Sequence, residues 1–139
     1  MRGLYRRRVT VLVLMLLAAF ALAGCSAPGR EAGVRVLLDG LAWDGEPVSP
    51  GEGLRVYITH DGQPLIDLPF DEARSVQITQ DGVGENTVEI TGEAVYMAHA
   101  DCENQDCVDM GAVTRENLEL RVMGGFIVCL PHRISVEVR

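Results

Sequence analysis

The fold of this 139-residue chain is decided by residues 97–138, which read MAHADCENQDCVDMGAVTRENLELRVMGGFIVCLPHRISVEV. An acidic loop that contains Cys102 and Cys107 is followed by runs in which apolar and polar residues alternate. A further cysteine, Cys129, lies inside one of those runs. Because a period of two places every second side chain of a strand on one face, this stretch predicts β-structure beside a short cysteine loop.

The same alternation occurs upstream of this stretch. Asp61-Gly62 separates two alternating runs, and this dipeptide is a strong signal for a tight hairpin. The predicted strands are 34–38, 54–59, 65–68, 76–78, 87–90, 94–99, 118–122, 126–130 and 134–138. About eight or nine short strands at this spacing are typical of a small antiparallel β-sandwich or barrel, so the predicted fold class is all-β.

Two segments interrupt the predicted strands. Residues 44–53 are rich in glycine, proline and acidic residues, which predicts a loop. Residues 103–110 predict one short helical turn near the cysteine loop, with Asp101 as its N-cap and Gly111 just past its end. We interpret Trp43, the only tryptophan, as an anchor for a loop or a satellite of the core rather than as a platform for a ligand.

The N-terminus has the three parts of an export signal. Arg2 and the three arginines at 6–8 precede an apolar run over residues 9–22, which is shorter than the roughly 20 residues that a membrane-spanning helix needs. The run ends in the sequence LAGC at residues 22–25, which resembles the lipobox of bacterial lipoproteins. We therefore predict export, cleavage before Cys25 and attachment of a lipid to its sulfur.

These signals divide the chain into three parts. Residues 1–24 are the predicted lipoprotein signal peptide, residues 25–33 a lipidated tether, and residues 34–139 the β domain. Two or more acyl chains hold a protein durably on a membrane, because each buried methylene adds about 0.8 kcal/mol of affinity. We expect an extracytoplasmic protein that is anchored to the bacterial cell membrane through Cys25, with membrane lipid as its first partner.

The charge of the chain argues against nucleic acid as a partner. The formal net charge is −8, from 12 arginines and 20 acidic residues, and the chain has no lysine. Removal of the signal peptide would leave 8 arginines, which makes the balance of the mature chain −12. Phosphate backbones would repel such a surface, whereas cations or a basic protein suit it better.

The cysteine stretch resembles a known family. Ala100-Asp101-Cys102, Cys107-Val108 and Gly111, followed by Ile127-Val128-Cys129-Leu130-Pro131, resemble the corresponding motifs of the NusG domain II-like family. The segments Asp61-Gly62-x-Pro-Leu-Ile and Asn86-Thr87-Val88-Glu89-Ile90 are also similar to it. Two positions depart from the pattern: Glu103 replaces the usual proline, and His132 replaces the usual asparagine after Leu-Pro.

The resemblance covers nearly all of the mature chain and implies an all-β fold. Most members of that family are exported proteins, often with a signal anchor or a lipobox. They tend to be encoded beside a membrane protein of the Gx transporter type and beside genes for flavin transfer or quinone chemistry. The resemblance therefore implies an accessory role for a membrane-protein partner, either a Gx transporter-like protein or a redox component, and it assigns no reaction.

Three cysteines would remain in the mature chain beside Cys25. Paired cysteines outside the cytoplasm usually oxidise, so a structural disulfide is the first expectation. It would join Cys102 or Cys107 to Cys129, or Cys102 to Cys107, and the spacing does not choose between these pairs. A bridge to Cys129 would close a loop of about 20 residues and stabilise the fold by about 3 kcal/mol.

Two other uses of the cysteines compete with a disulfide. Cys102-x4-Cys107 together with Cys129-x2-His132 offers three thiolates and one imidazole, which is a ligand set for zinc. The family's asparagine at the position of His132 argues against that site. Thiol–disulfide exchange at Cys102 or Cys107 is the other use, although the Cys-x-x-Cys spacing typical of redox proteins is absent and the neighbouring acidic residues would raise a thiol pKa.

The remaining patterns point away from catalysis. The acidic residues Asp101, Glu103, Asp106 and Asp109 lack the spacing of a calcium loop and are interpreted as a solvated face. No nucleophile elbow or phosphate-binding loop occurs. We expect a non-catalytic binding or accessory module without a cofactor. The alternative is a thiol-redox or metal-binding protein that acts through Cys102, Cys107 and Cys129.

Overall fold

The computed structural model describes residues 33–45 and 52–139. The predicted signal peptide, Cys25 and most of the tether lie outside the described residues, as do residues 46–51 of the predicted loop. Among the described residues, no helix is long and apolar enough to cross a membrane. The elements are β1 Val34–Leu38, β2 Leu41–Ala42, β3 Arg55–His60, β4 Gln63–Pro69, β5 Arg74–Gln80, β6 Gly84–Ile90, β7 Ala94–Ala100, α1 Asp106–Asp109, β8 Val113–Thr114, β9 Phe126–Cys129 and β10 Ile134–Val138.

The strands form two antiparallel sheets. One sheet has six strands in the order β2-β1-β5-β6-β7-β8, and the other has four in the order β4-β3-β10-β9. Every strand pair in the described part of the chain is antiparallel. The predicted all-β class is therefore confirmed.

Strict alternation of side chains builds a single core from both sheets. In β3 and β5, every second residue is buried, including Val56 and Ile58 in one and Val76 and Ile78 in the other. Both strands contribute to one continuous apolar cluster together with residues of β6, β7, β9 and β10. Phe70, just after β4, is among the largest fully buried side chains of that cluster.

Aspartate-glycine turns close the tight hairpins. Asp61 and Gly62 have φ values of 50° and 76°, the pair of positive angles that a type I′ turn requires. This confirms the hairpin predicted between β3 and β4. Asp39 and Gly40 repeat the arrangement, with φ values of 52° and 79°, and lead into the two-residue strand β2, which the sequence pattern did not indicate.

The strand predicted over residues 118–122 is wrong. The segment forms consecutive turns in which Leu118 packs against the core, whereas Leu120 and Val122 are 83% and 103% exposed. Backbone hydrogen bonds within the turns replace a ladder there, and two side chains fasten the turns to the preceding residues. Asn117 accepts a hydrogen bond from the amide of Thr114 at 2.8 Å, and Arg121 donates to the carbonyl of Met110 at 3.0 Å.

The predicted helical turn exists but begins later than expected. α1 starts after Gln105, which has a left-handed φ of 54°, and the helix has no side-chain cap. Asp101 is not its N-cap, because its carboxylate accepts a hydrogen bond from the backbone amide of Glu85 at 2.7 Å. Gly111 has a φ of 69° just past the helix, as predicted. Trp43 packs half-buried against the core, in line with the expected satellite role.

Candidate functional site

Three elements carry the three cysteines to one place. Cys102 follows β7, Cys107 lies in α1, and Cys129 ends β9. α1 packs against both β7 and β9, which belong to different sheets, so the cysteine loop joins the two layers at this point. A side chain from each layer and one from the connecting helix therefore meet.

The thiols form a compact buried cluster. The Sγ atom of Cys102 lies 3.8 Å from that of Cys107 and 3.8 Å from that of Cys129. All three Sγ atoms lie within 4.8 Å of one another, and the three residues are 6%, 2% and 1% exposed in chain order. A disulfide bond measures about 2.05 Å, so in this structure the three cysteines are free thiols in contact.

Burial controls the chemistry of Cys107. Removal from water and, to a smaller extent, the adjacent thiols of Cys129 and Cys102 together raise the pKa of its thiol to about 12. A thiol in such an environment stays protonated at neutral pH and is a poor nucleophile. Spontaneous disulfide exchange at Cys107 is therefore disfavoured in this arrangement.

The loop that holds Cys102 is fastened by Gln105. The side-chain amide of Gln105 donates to the carbonyl of Ala100 at 2.6 Å and also to the carbonyl of Cys102. The same nitrogen lies 4.0 Å from the Sγ atom of Cys102. One amide thus fixes the loop backbone with both of its N–H groups and places its nitrogen near the sulfur.

A small cavity of about 50 Å³ opens beside the cluster. Cys107 and Cys129 form part of its wall. The other lining residues are Asn104, Asp106, Val128, Leu130 and Pro131. The cavity is wide enough for a water molecule or a metal ion, and two of the three residues that carry the thiols line it.

His132 is not part of the cysteine cluster. Its Nδ1 atom lies 2.8 Å from the Oδ1 atom of Asn86, and because a carboxamide oxygen only accepts, the imidazole donates. Its Nε2 atom lies 3.4 Å from a carboxylate oxygen of Asp101, and its carbonyl accepts from the side chain of Gln80 at 2.9 Å. The structure brings the three cysteines of the predicted Cys3His set together, whereas the histidine contacts the residues of this separate polar network.

The acidic residues of the loop are exposed. Asp101, Glu103, Asp106 and Asp109 all reach solvent. The hydrogen bond from the amide of Glu85 is the main cause that lowers the pKa of Asp101, and His132 contributes in the same direction. Among the described residues, the Asp101 carboxylate accepts a hydrogen bond from the backbone of β6 and lies beside the ring of His132.

The polar network was not found from the sequence, although a signal for it exists. Asn86 and Gln80 occupy inward positions of alternating strands, where the pattern otherwise places valine and isoleucine. Gly84 is required beside them, because a Cβ atom there would lie 2.5 Å from both the Asp101 carboxylate and the His132 ring. A buried amide in an apolar register indicates a hydrogen-bonded partner elsewhere in the chain.

Replacement of Asn86 by alanine tests this network. Asn86 is fully buried, and the substitution removes the acceptor of the buried His132 N–H group. We expect the free energy of unfolding to fall by about 1–3 kcal/mol, measured by urea denaturation of the full-length chain in detergent. Asn104→Ala is the matched control, because Asn104 is exposed and should change stability by less than about 0.5 kcal/mol. Equal effects of the two substitutions would refute the role of the network.

Comparison with known proteins places the fold and the cysteine stretch in a family. The model of the family described as NusG domain II matches residues 11–139. The chain belongs to the NusG domain II family. This confirms the resemblance inferred from the cysteine motifs. No curated protein sequence is significantly similar to the chain.

Solved structures similar to this NusG domain II chain come from three bacteria. The Lin0431 protein of Listeria innocua is 25% identical, with a TM-score of 0.52, and the match covers 62% of this chain and 94% of that one. A DUF1312 family protein of Ruminococcus gnavus is 28% identical over 63% and 99% of the two chains, with a TM-score of 0.50. Another from Enterococcus faecalis is 16% identical over 63% and 97%, with a TM-score of 0.54, and shares the fold.

Proposed function

We propose that this chain is a lipid-anchored extracytoplasmic accessory module that binds a membrane-protein partner of a transport or redox system and has no catalytic centre of its own. The N-terminal signal with Cys25 supports the anchor, and the family resemblance supports the accessory role. The single observation that carries the binding role is an exposed apolar segment, which we call the apolar turn. It consists of Leu120, Val122, Met123 and Phe126.

The apolar turn is exposed and yet held in a defined conformation. The guanidinium of Arg121 donates to the carbonyls of Met110, Ala112 and Gly124 at 3.0–3.2 Å. The amide of Gly124 in turn donates to the carbonyl of Arg121. Exposed apolar side chains on a backbone that is already held in place mark contact surfaces, because the backbone loses little further entropy when a partner covers it. A membrane protein with an apolar surface outside the bilayer is the partner that a lipid-anchored module can reach.

Site-specific photo-crosslinking in cells tests the proposal. A photoreactive amino acid at Leu120 or Val122 should form an adduct with one membrane protein, because both side chains point outward from a fixed turn. Cys25→Ala should release the chain from the membrane fraction and weaken the adduct at least about tenfold, since the anchor raises the local concentration of the partner. Western blotting of membrane and soluble fractions measures both effects.

Val83 provides the matched control position. It is an exposed valine in the turn between β5 and β6, outside the apolar turn. The same photoreactive residue there should give no discrete adduct. An adduct of equal yield from all three positions would contradict the binding role of the apolar turn, and membrane retention of the Cys25→Ala chain would contradict lipid anchoring.

The thiol cluster supports a second candidate function, thiol-redox or metal-binding chemistry. Three buried thiols within 4.8 Å of one another supply both the sulfurs for a disulfide and a set of metal ligands. Cys102 contacts both other sulfurs, so in an oxidising compartment it would be the shared member of a disulfide with either Cys107 or Cys129. A chain with alanine at Cys102, Cys107 and Cys129, shown by circular dichroism to be folded, tests this candidate. If the function is binding alone, the photo-crosslinks from the apolar turn and the transport or redox activity of the membrane system should persist. If the thiols act, that transport or redox activity should be lost.

A further inference from the structure

We propose that Cys102, Cys107 and Cys129 are the ligands of a thiophilic metal ion with a filled d shell, Zn²⁺ or Cu⁺, held by three thiolates. This inference rests on the second candidate function and names its ligand. It differs from the Cys3His set suggested by the sequence, because His132 belongs to the separate network with Asn86 and Asp101.

The spacing of the sulfur atoms carries the proposal. Thiolates bind Zn²⁺ at about 2.3 Å, so two thiolates of a tetrahedral ion lie about 3.8 Å apart. Both contacts of Cys102 measure 3.8 Å, and the third pair lies within 4.8 Å. An ion slightly out of the plane of the three Sγ atoms would therefore reach all of them with little movement of the backbone.

The ligands come from parts of the fold that are fixed independently. Cys129 is paired in the ladder of β9 with β10, opposite Ile134. Cys107 lies in α1, where the amides of Val108 and Asp109 both donate to the carbonyl of Gln105. Cys102 is held by the side chain of Gln105. Because the backbone around each ligand is held by hydrogen bonds, the metal would meet a preformed site.

The surroundings of the cluster suit a soft ion. Thiolate ligands favour Zn²⁺ and Cu⁺ over oxygen-seeking ions such as Mg²⁺ and Ca²⁺. The side-chain amide of Gln105 would act as an outer-shell group, because it holds the loop of Cys102 and places its nitrogen, the positive end of the amide dipole, 4.0 Å from the sulfur. The cavity beside Cys107 and Cys129 provides an entry route and room for a water molecule on the open side of the ion.

Binding conserves charge and leaves the oxidation state of the metal unchanged. Each of the three S–H groups loses one proton to solvent as its sulfur–metal bond forms. The buried unit then carries a net charge of −1 with Zn²⁺ and −2 with Cu⁺. No oxidant or reductant takes part in the step.

Metal titration of the full-length chain tests the inference. The protein is purified in detergent under anaerobic, reducing conditions and titrated with Zn²⁺, with Cu⁺, and with Co²⁺ as a spectroscopic substitute for Zn²⁺. We expect one ion per chain, a thiolate-to-cobalt charge-transfer band that Zn²⁺ abolishes, and an affinity loss of at least about 100-fold for alanine at any of the three cysteines. That size follows because even outer-shell partners are worth 10- to 100-fold. A response to Cu⁺ alone would assign the site to the monovalent ion.

Two variants keep the result decisive. His132→Asn should bind the metal within a few-fold of the wild-type affinity, and an equal loss with this variant and the cysteine variants would overturn the three-thiolate site. Gln105→Ala should weaken binding by about 10-fold or more while all three thiols stay intact. Failure of the wild-type chain to bind either ion, with all four thiols of the full-length chain titratable, would also overturn the proposal. Failure to bind metal would leave the photo-crosslinks from the apolar turn unaffected, so the accessory function is tested independently of the metal site.

Discussion

Replacement of Phe70 by alanine is expected to lower the free energy of unfolding by about 3–5 kcal/mol, the range for a fully buried phenylalanine. Phe70 is 0% exposed and follows β4 directly. Its amide donates to the carbonyl of Leu54 at 3.0 Å, so the backbone at this position is fixed and cannot collapse into the space that the ring leaves. The guanidinium of Arg115 also lies 4.9 Å from the ring centroid and would lose a cation–π contact.

Urea denaturation of the full-length chain in detergent, followed by the fluorescence of Trp43, measures this loss. Phe126→Ala is the matched control, because Phe126 is 39% exposed at the start of β9. We expect that control to cost less than about 1.5 kcal/mol, since only part of the ring leaves an apolar environment. Losses for the two variants within about 1 kcal/mol of each other would contradict the assignment of Phe70 to the core.

Among the glycines of the described residues, Gly125 should be the one at which replacement by alanine lowers the free energy of unfolding most. A Cβ atom there would lie 2.1 Å from the carbonyl oxygen of Val138 and 2.9 Å from a methyl carbon of Leu118. The carbonyl of Gly125 also accepts from the amide of Val138 at 2.9 Å, so β10 cannot move away without losing that bond. We expect a loss of about 3 kcal/mol, at the upper end of the range for overpacking.

Gly40→Ala separates steric overlap from backbone conformation. Gly40 has a φ of 79° and no heavy atom within 4 Å of a Cβ position, so alanine there meets only the cost of a left-handed conformation, about 1 kcal/mol. Chemical denaturation of both variants under one set of conditions gives the comparison. If the free energy of unfolding falls no more for Gly125→Ala than for Gly40→Ala, the end of β10 moves to accommodate the methyl group and the expected overlap is wrong.

Part of the site could be predicted from the sequence. The importance of Cys102, Cys107 and Cys129 followed from their placement on an acidic loop and in an apolar run, and the structure brings all three together. The assignment of His132 to the same set could not be tested from spacing. Cys129 and His132 are three residues apart, but the turn after β9 directs the histidine to Asn86 on the other sheet.

The fate of residues 118–122 illustrates the limit of periodicity. Leu118, Leu120 and Val122 alternate as well as any strand in the chain, yet only Leu118 reaches the core. A strand needs a neighbour for its backbone groups, and here the amides of Leu118 and Leu120 donate to carbonyls within the turns instead. The alternation is a local property, whereas the presence of a partner strand is not.

The sequence alone determined the all-β class, most strands, the Asp61-Gly62 hairpin and the family, because each depends on neighbours along the chain. Alternation specifies which face of a strand is buried, and a turn dipeptide specifies its own backbone angles. Only the tertiary structure decided the order of the strands in the two sheets, the network around His132 and the contact of Cys102 with both other thiols. These depend on pairings between residues distant in the chain, such as β3 with β10 and β1 with β5, where many registers satisfy the same local pattern and packing of the whole core selects one.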